Sequence, residues 1–131
     1  MKTLIGIIIS ICLLSINGQA QVLPATKIHF LNSMIGMSAE LKTTIDPKNP
    51  IRIKSRTWVI IQPAGDSLGF IIDNKPYFLH FSPNKHYYFV IQVGHFSRPV
   101  LTEKSEQEFI LTAATESAKG PEEYILSKGA N

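Results

Sequence analysis

Cysteine is almost missing from this chain of 131 residues: the only one, Cys12, lies inside the only long apolar run, Leu4 to Ile16. Lys2 precedes that run, and Asn17-Gly18-Gln19-Ala20 closes it with small residues where a signal peptidase reads. Residues 1–20 are therefore expected to be a secretory signal peptide cleaved after Ala20. The run is about two-thirds of the roughly 20 apolar residues a membrane span needs, so no transmembrane segment is expected after cleavage. Bulky Ile11 stands before Cys12 where lipid attachment wants a small residue, and the cysteine reads as apolar filler that leaves with the peptide. A cysteine-free mature chain excludes a disulfide scaffold and a thiol nucleophile, although its compartment is oxidising; stability must come from a hydrophobic core. No Asn-x-Ser/Thr acceptor occurs either. Both absences fit a secreted or periplasmic protein of a Gram-negative cell.

A strong excess of one charge is also lacking. The formal net charge is +3, and it falls by one with Lys2. Residues 27–100 carry nine Lys/Arg against four Asp/Glu, whereas 101–131 carry three against six, so a mildly basic body precedes an acidic end. This is too weak for a nucleic-acid binder, which shows a basic stripe on a strongly basic domain. The sequence has no Gly-x-Ser-x-Gly elbow, no His-Glu-x-x-His pair and no phosphate-binding glycine loop. No catalytic residue, metal ligand or cofactor is assigned. A dispersed Ser/His/Asp set, or a pairing of Asp66 or Asp73 with a glutamate, keeps a small hydrolase as the last of three functional readings.

What the chain does contain is strand-like. Turn signals recur every eight to twelve residues between segments rich in Ile, Val, Phe, Tyr and Thr. Sustained helical periodicity is not evident. The expected strands are Lys27 to Leu31, Ser38 to Ile45, Ile51 to Gln62 with a bend near Ser55, Leu68 to Ile72, Tyr77 to Phe81, Tyr87 to Val93, Val100 to Thr102 and Glu108 to Thr115. The fold class that follows is all-β: an antiparallel β-sandwich of about seven to eight strands, immunoglobulin-like in outline. It would occupy residues 21–115, with 116–131 as a mobile C-terminal tail.

Pro83 rules out a two-residue primed turn, because its ring forbids a positive φ. A three-residue loop, Pro83 to Lys85, would place Phe81 opposite Tyr87 and Leu79 opposite Phe89. Tyr77, Leu79, Phe81, Tyr87, Phe89 and Ile91 then share the core face, and Phe78, His80, His86, Tyr88, Val90 and Gln92 the other. His80 and His86 would lie diagonally, roughly 7 to 8 Å apart. A catalytic zinc wants a third protein ligand, and none is evident, so the pair reads as a solvated hairpin tip. His29 and His95 read as ordinary strand and loop residues.

Two surfaces stand out. Arg52, Lys54, Arg56 and Trp58 alternate along one strand, which would put three cations and an indole on one face, roughly 6.5 to 7 Å apart. Such a ladder can fork an anionic glycan or lipid head group and stack a ring, or it can be a wet face whose cations pair with Glu106 and Glu108 in surface bridges of ~0 to 1 kcal/mol. Phe78, Tyr88 and Val90 are the second surface: either the hairpin is covered on both sides, or they form an exposed apolar patch of the kind that anchors partners. The preferred reading is an exported, non-catalytic binding module that recognises a partner protein or cell-envelope component. Binding of an anionic glycan or lipid head group by the ladder is its rival.

Overall fold

The computed structural model describes residues 26–126. The expected signal peptide and its cleavage point lie outside them. Nine strands and one α-helix follow in order: β1 Lys27–Asn32, β2 Ala39–Thr43, β3 Ile51–Ile53, β4 Thr57–Gln62, β5 Ser67–Ile72, β6 Lys75–His80, β7 His86–Val93, β8 Pro99–Lys104, α1 Glu106–Thr115 and β9 Lys119–Ile125. They form a five-stranded sheet ordered β8-β7-β1-β4-β9 and a four-stranded sheet ordered β3-β2-β5-β6.

The sheets pack face to face as a sandwich. Strand β2 alternates buried and exposed residues, so Ala39, Leu41 and Thr43 face inward while Glu40 and Lys42 face water. Inward residues of both sheets make one core: Ile28, Phe30, Val59, Ile61, Phe89 and Ile91 from one, Leu41, Ile53, Leu68, Phe70 and Ile72 from the other. Phe30 meets Phe70 edge-on across the layers at 5.5 Å and stacks on Phe89 at 5.6 Å. Strand β1 behaves differently from β2, since every residue from Ile28 to Asn32 is buried. That pattern belongs to a central strand covered on both sides. The outer cover is α1, which buries Phe109 and Ala113 against Leu31, Tyr88 and Val90.

Four sequence expectations are corrected. The sandwich is not purely antiparallel, because β1 pairs with β7 and β4 with β9 in parallel. The β6–β7 hairpin does not form: β6 pairs with β5, whereas β7 pairs with β1 and β8 in the other sheet. Its six core residues nonetheless all face the core, because alternation is a property of each strand and survives a change of partner. Glu108 to Thr115 is helical, because Ser105 and Glu108 form a reciprocal capping box and two acids sit in the first turn. Phe109 and Ala113, four apart, make the buried stripe that holds the helix down. Finally, Lys119–Ile125, expected within a mobile tail, form β9 at the sheet edge.

Candidate functional site

The basic ladder is divided between the sheets. Arg52 lies on β3, opposite Glu40 of β2, in the four-stranded sheet. The chain then leaves that sheet through Lys54 and Ser55, Arg56 takes a left-handed φ of 54°, and Trp58 joins β4 in the five-stranded sheet. Trp58 is half-buried under α1, its ring 5.2 Å from Phe109. The expected bend near Ser55 is thus a crossing between layers, and Arg52 and Trp58 sit on different sheets. Glu106 and Glu108 are not partners of these cations: among the described residues the ion pairs are Lys27–Glu123 and Lys42–Glu40. The aromatic surface divides too. Phe78 is 63% exposed on β6, while Tyr88 and Val90 are buried beneath α1.

His80 and His86 fall on different sheets. The partner of His86 is instead His29, only 5% exposed at the centre of the five-stranded sheet. Trp58 Nε1–H donates to His29 Nδ1 at 3.1 Å. An indole nitrogen only donates, so Nδ1 must present its lone pair and the neutral ring carries its proton on Nε2. That Nε2–H donates to His86 Nδ1 at 3.0 Å, which places the proton of neutral His86 on its exposed Nε2. Tyr88 stacks on His29 at 4.4 Å and Phe109 approaches edge-on at 6.0 Å. Burial first, then the charges of His86 and Lys27, lower the His29 pKa from 6.5 to about 4, against a small opposing pull from Glu123. The tautomer also removes His29 from metal chemistry, because the nitrogen facing His86 carries a proton and has no lone pair for an ion. This network reads as the polar clasp between α1 and its sheet. An open depression of about 520 Å³ beside it is lined by Lys85, His86, Tyr88, Lys104 and Glu106 among others. Burial raises the Tyr88 pKa, and the charge of Glu106 and a hydrogen bond to it add to the effect.

A group of exposed apolar residues lies elsewhere, at the end of the sandwich where β1 and β7 finish and β4 begins. Ile35 is 77% and Met37 41% exposed in the β1–β2 loop, and Phe96 is 95% exposed in the β7–β8 loop. The first loop is held firmly. Buried Asn32 donates to the carbonyls of Met37 and Ile53 at 2.8 and 2.9 Å and accepts from Met34 N at 3.0 Å. Ser55 Oγ donates to Met34 O at 2.6 Å and accepts from Gly36 N at 3.1 Å, which ties the loop to the sheet crossing that carries Lys54 and Arg56. In the second loop Phe96 and Ser97 both adopt left-handed φ, 60° and 57°, and Gly94 N donates to Arg98 O at 2.8 Å. Two such residues in succession are the geometry of a type I′ turn, which ordinarily takes Asn-Gly; a β-carbon in that region costs about 1 to 2 kcal/mol per residue. A cleft of about 450 Å³ runs between the loops and the four-stranded sheet, with Met37, Ile72, Asp73 and Arg98 in its wall.

The sequence reading picked out Lys54 and Arg56 but missed Ile35, Met37, Phe96 and Arg98. A signal was present: Ile35, Met37 and Phe96 stand beside Gly36 and Gly94 in segments that read as turns, outside any alternating strand pattern that would bury them. No family model, curated protein or solved structure matches the sequence. What the fold and site define is therefore a class of architecture: a two-sheet β-sandwich with a helix clasped to its larger sheet. Among the described residues no helix is long and apolar enough to cross a membrane.

Proposed function

We propose that the protein is an exported, non-catalytic binding module that recognises a cell-envelope component through the loop end of its sandwich. The observation that carries this reading is the exposure of Ile35, Met37 and Phe96 at one end, on a β1–β2 loop tied by the Asn32 and Ser55 side chains and a β7–β8 loop closed by backbone hydrogen bonds. Fully burying an apolar side chain of this size against a partner contributes about 1.5 to 3 kcal/mol, and a preformed loop loses little conformational entropy on binding. The turn at Phe96 supports the same reading, since it takes a left-handed φ that is costly for an aromatic residue and leaves the ring 95% exposed. Lys54 and Arg56 keep the place given them by the head-group reading, whereas Arg52 and Trp58 drop out because they sit on different sheets.

The test is co-sedimentation of the chain lacking residues 1–20 with washed Gram-negative envelopes. The protein should be retained, and a double variant, Ile35→Ser with Phe96→Ser, should remain in the supernatant with an unchanged circular-dichroism spectrum. Retention of that folded variant, or failure of the unaltered protein to sediment, overturns the proposal.

A further inference from the structure

We infer that the envelope component is an anionic lipid surface, with Phe96, Ile35 and Met37 entering the interface while Lys54, Arg56 and Arg98 meet the head-group phosphates. This rests on the loop-end reading above and names its partner.

Charge is the first argument. The segments at this end carry Lys54, Arg56, Lys75, Arg98 and Lys119 against Asp73 and Glu116, and the Ser33 hydroxyl donates to Glu116. Glu40 nearby is paired with Lys42 at 3.9 Å. Among the described residues Lys54, Arg56 and Arg98 are exposed and belong to neither ion pair. Cations flanking protruding apolar side chains match the layering of a bilayer interface, where phosphates lie above the acyl boundary.

Shape is the second. Ile35 and Phe96 stand on separate loops and project singly, as wedges do; neither lines the cleft that Met37 borders, so they do not enclose a small ligand. The two ends also differ in their loops: at the opposite end, loops 44–50, 63–66 and 82–85 expose no large apolar side chain, and the exposed apolar residue there is Ile125, the last of β9. Exposure of this kind is therefore not a general property of the loops of this fold.

The test is flotation of the chain lacking residues 1–20 with phosphatidylglycerol-rich and with pure phosphatidylcholine vesicles, read beside the envelope experiment. The protein should float with the anionic vesicles and release as salt rises. Phe96→Asp and Ile35→Asp should each abolish flotation, and Lys54→Gln, Arg56→Gln and Arg98→Gln should each weaken it about five-fold. Trp58 emission, which reports the buried α1 interface, should be unchanged in all five variants. Retention on envelopes without flotation on anionic vesicles overturns the lipid inference and leaves the binding-module reading standing, and loss of retention after protease shaving would then assign a protein partner. Equal flotation with both vesicle types overturns the role of the cations. Flotation of folded Phe96→Asp and Ile35→Asp at the unaltered level overturns the insertion.

Discussion

Trp58 donates its indole proton to Nδ1 of His29 at 3.1 Å, and this one bond decides where the proton of neutral His29 lies in the clasp beneath α1. Because Trp58 can only donate, neutral His29 is the Nε2–H tautomer, and its Nε2–H faces His86 Nδ1 at 3.0 Å. A further proton on His29 Nδ1 would face the indole N–H. Nitrogen chemical shifts from long-range proton–nitrogen correlation should show His29 in that tautomer at neutral pH, and Trp58→Phe should remove the preference.

Acid should loosen the fold through His29. Its pKa is about 4 in the folded protein and 6.5 without burial. The unfolded chain therefore binds more protons between those values, and stability falls as pH drops from 6.5 towards 4, by about 3 kcal/mol in all. Its neighbours are His86 and Tyr88 on β7, Lys27 on its own strand and Glu123 on β9, which Lys27 holds at 3.2 Å. Glu108 and Glu123 have pKa values lowered from 4.5, by bonds from Ser105 and from Gln62 and Lys27 respectively. Their stabilisation is lost only below 4.5, so between 6.5 and 4.5 they do not add to the decline caused by His29. Urea titrations across that window should show the decline, and His29→Gln should flatten it.

Phe109→Ala should free the helix from the sheet. Phe109 is wholly buried, and it meets Trp58 and Tyr88 at 5.2 Å each and His29 at 6.0 Å. The expected loss is about 3 to 5 kcal/mol, accompanied by a red shift of Trp58 emission as water reaches the indole.

Gly120 is the point at which β9 enters the sheet. Its φ is 111°, and a β-carbon there would press on the Trp58 carbonyl oxygen. Gly120→Ala should cost about 2 kcal/mol, with amide exchange accelerating first in β9 and β4, the strands it joins.

The turn at Phe96 and Ser97 should show stability and binding pulling apart. Replacing the pair with Asn-Gly supplies residues that accept left-handed φ, and should raise stability by about 1 kcal/mol. The same variant should lose envelope retention because the exposed ring is gone. Thermal melts and co-sedimentation on one preparation would read both effects.

Much of this was present in local patterns. The inward faces of β2, β6 and β7 follow from alternation, and Ser82 to Lys85 was a turn whichever strand came next. The Ser105-to-Glu108 spacing is a capping box in plain view, yet the segment it opens lacks the helical periodicity that would mark it as a helix. Phe109, Ile110 and Leu111 are consecutive apolar residues, and the buried stripe of Phe109 and Ala113 spans barely one turn. The candidate site was less legible. Ladder spacing holds only while the chain stays in one strand, and the left-handed turn at Arg56 ends it.

Residue order settles what neighbours along the chain settle among themselves: which side chains alternate inward, where prolines and caps interrupt, and that the stretch after Thr26 is largely extended. Only the folded chain decided which strands lie side by side, that Trp58 meets His29 across twenty-nine residues, and that Phe96, Ile35 and Arg98 share one end. Pleating and capping act over a few bonds, whereas strand partnership depends on which apolar faces exclude water together, and that balance is struck over the whole domain at once.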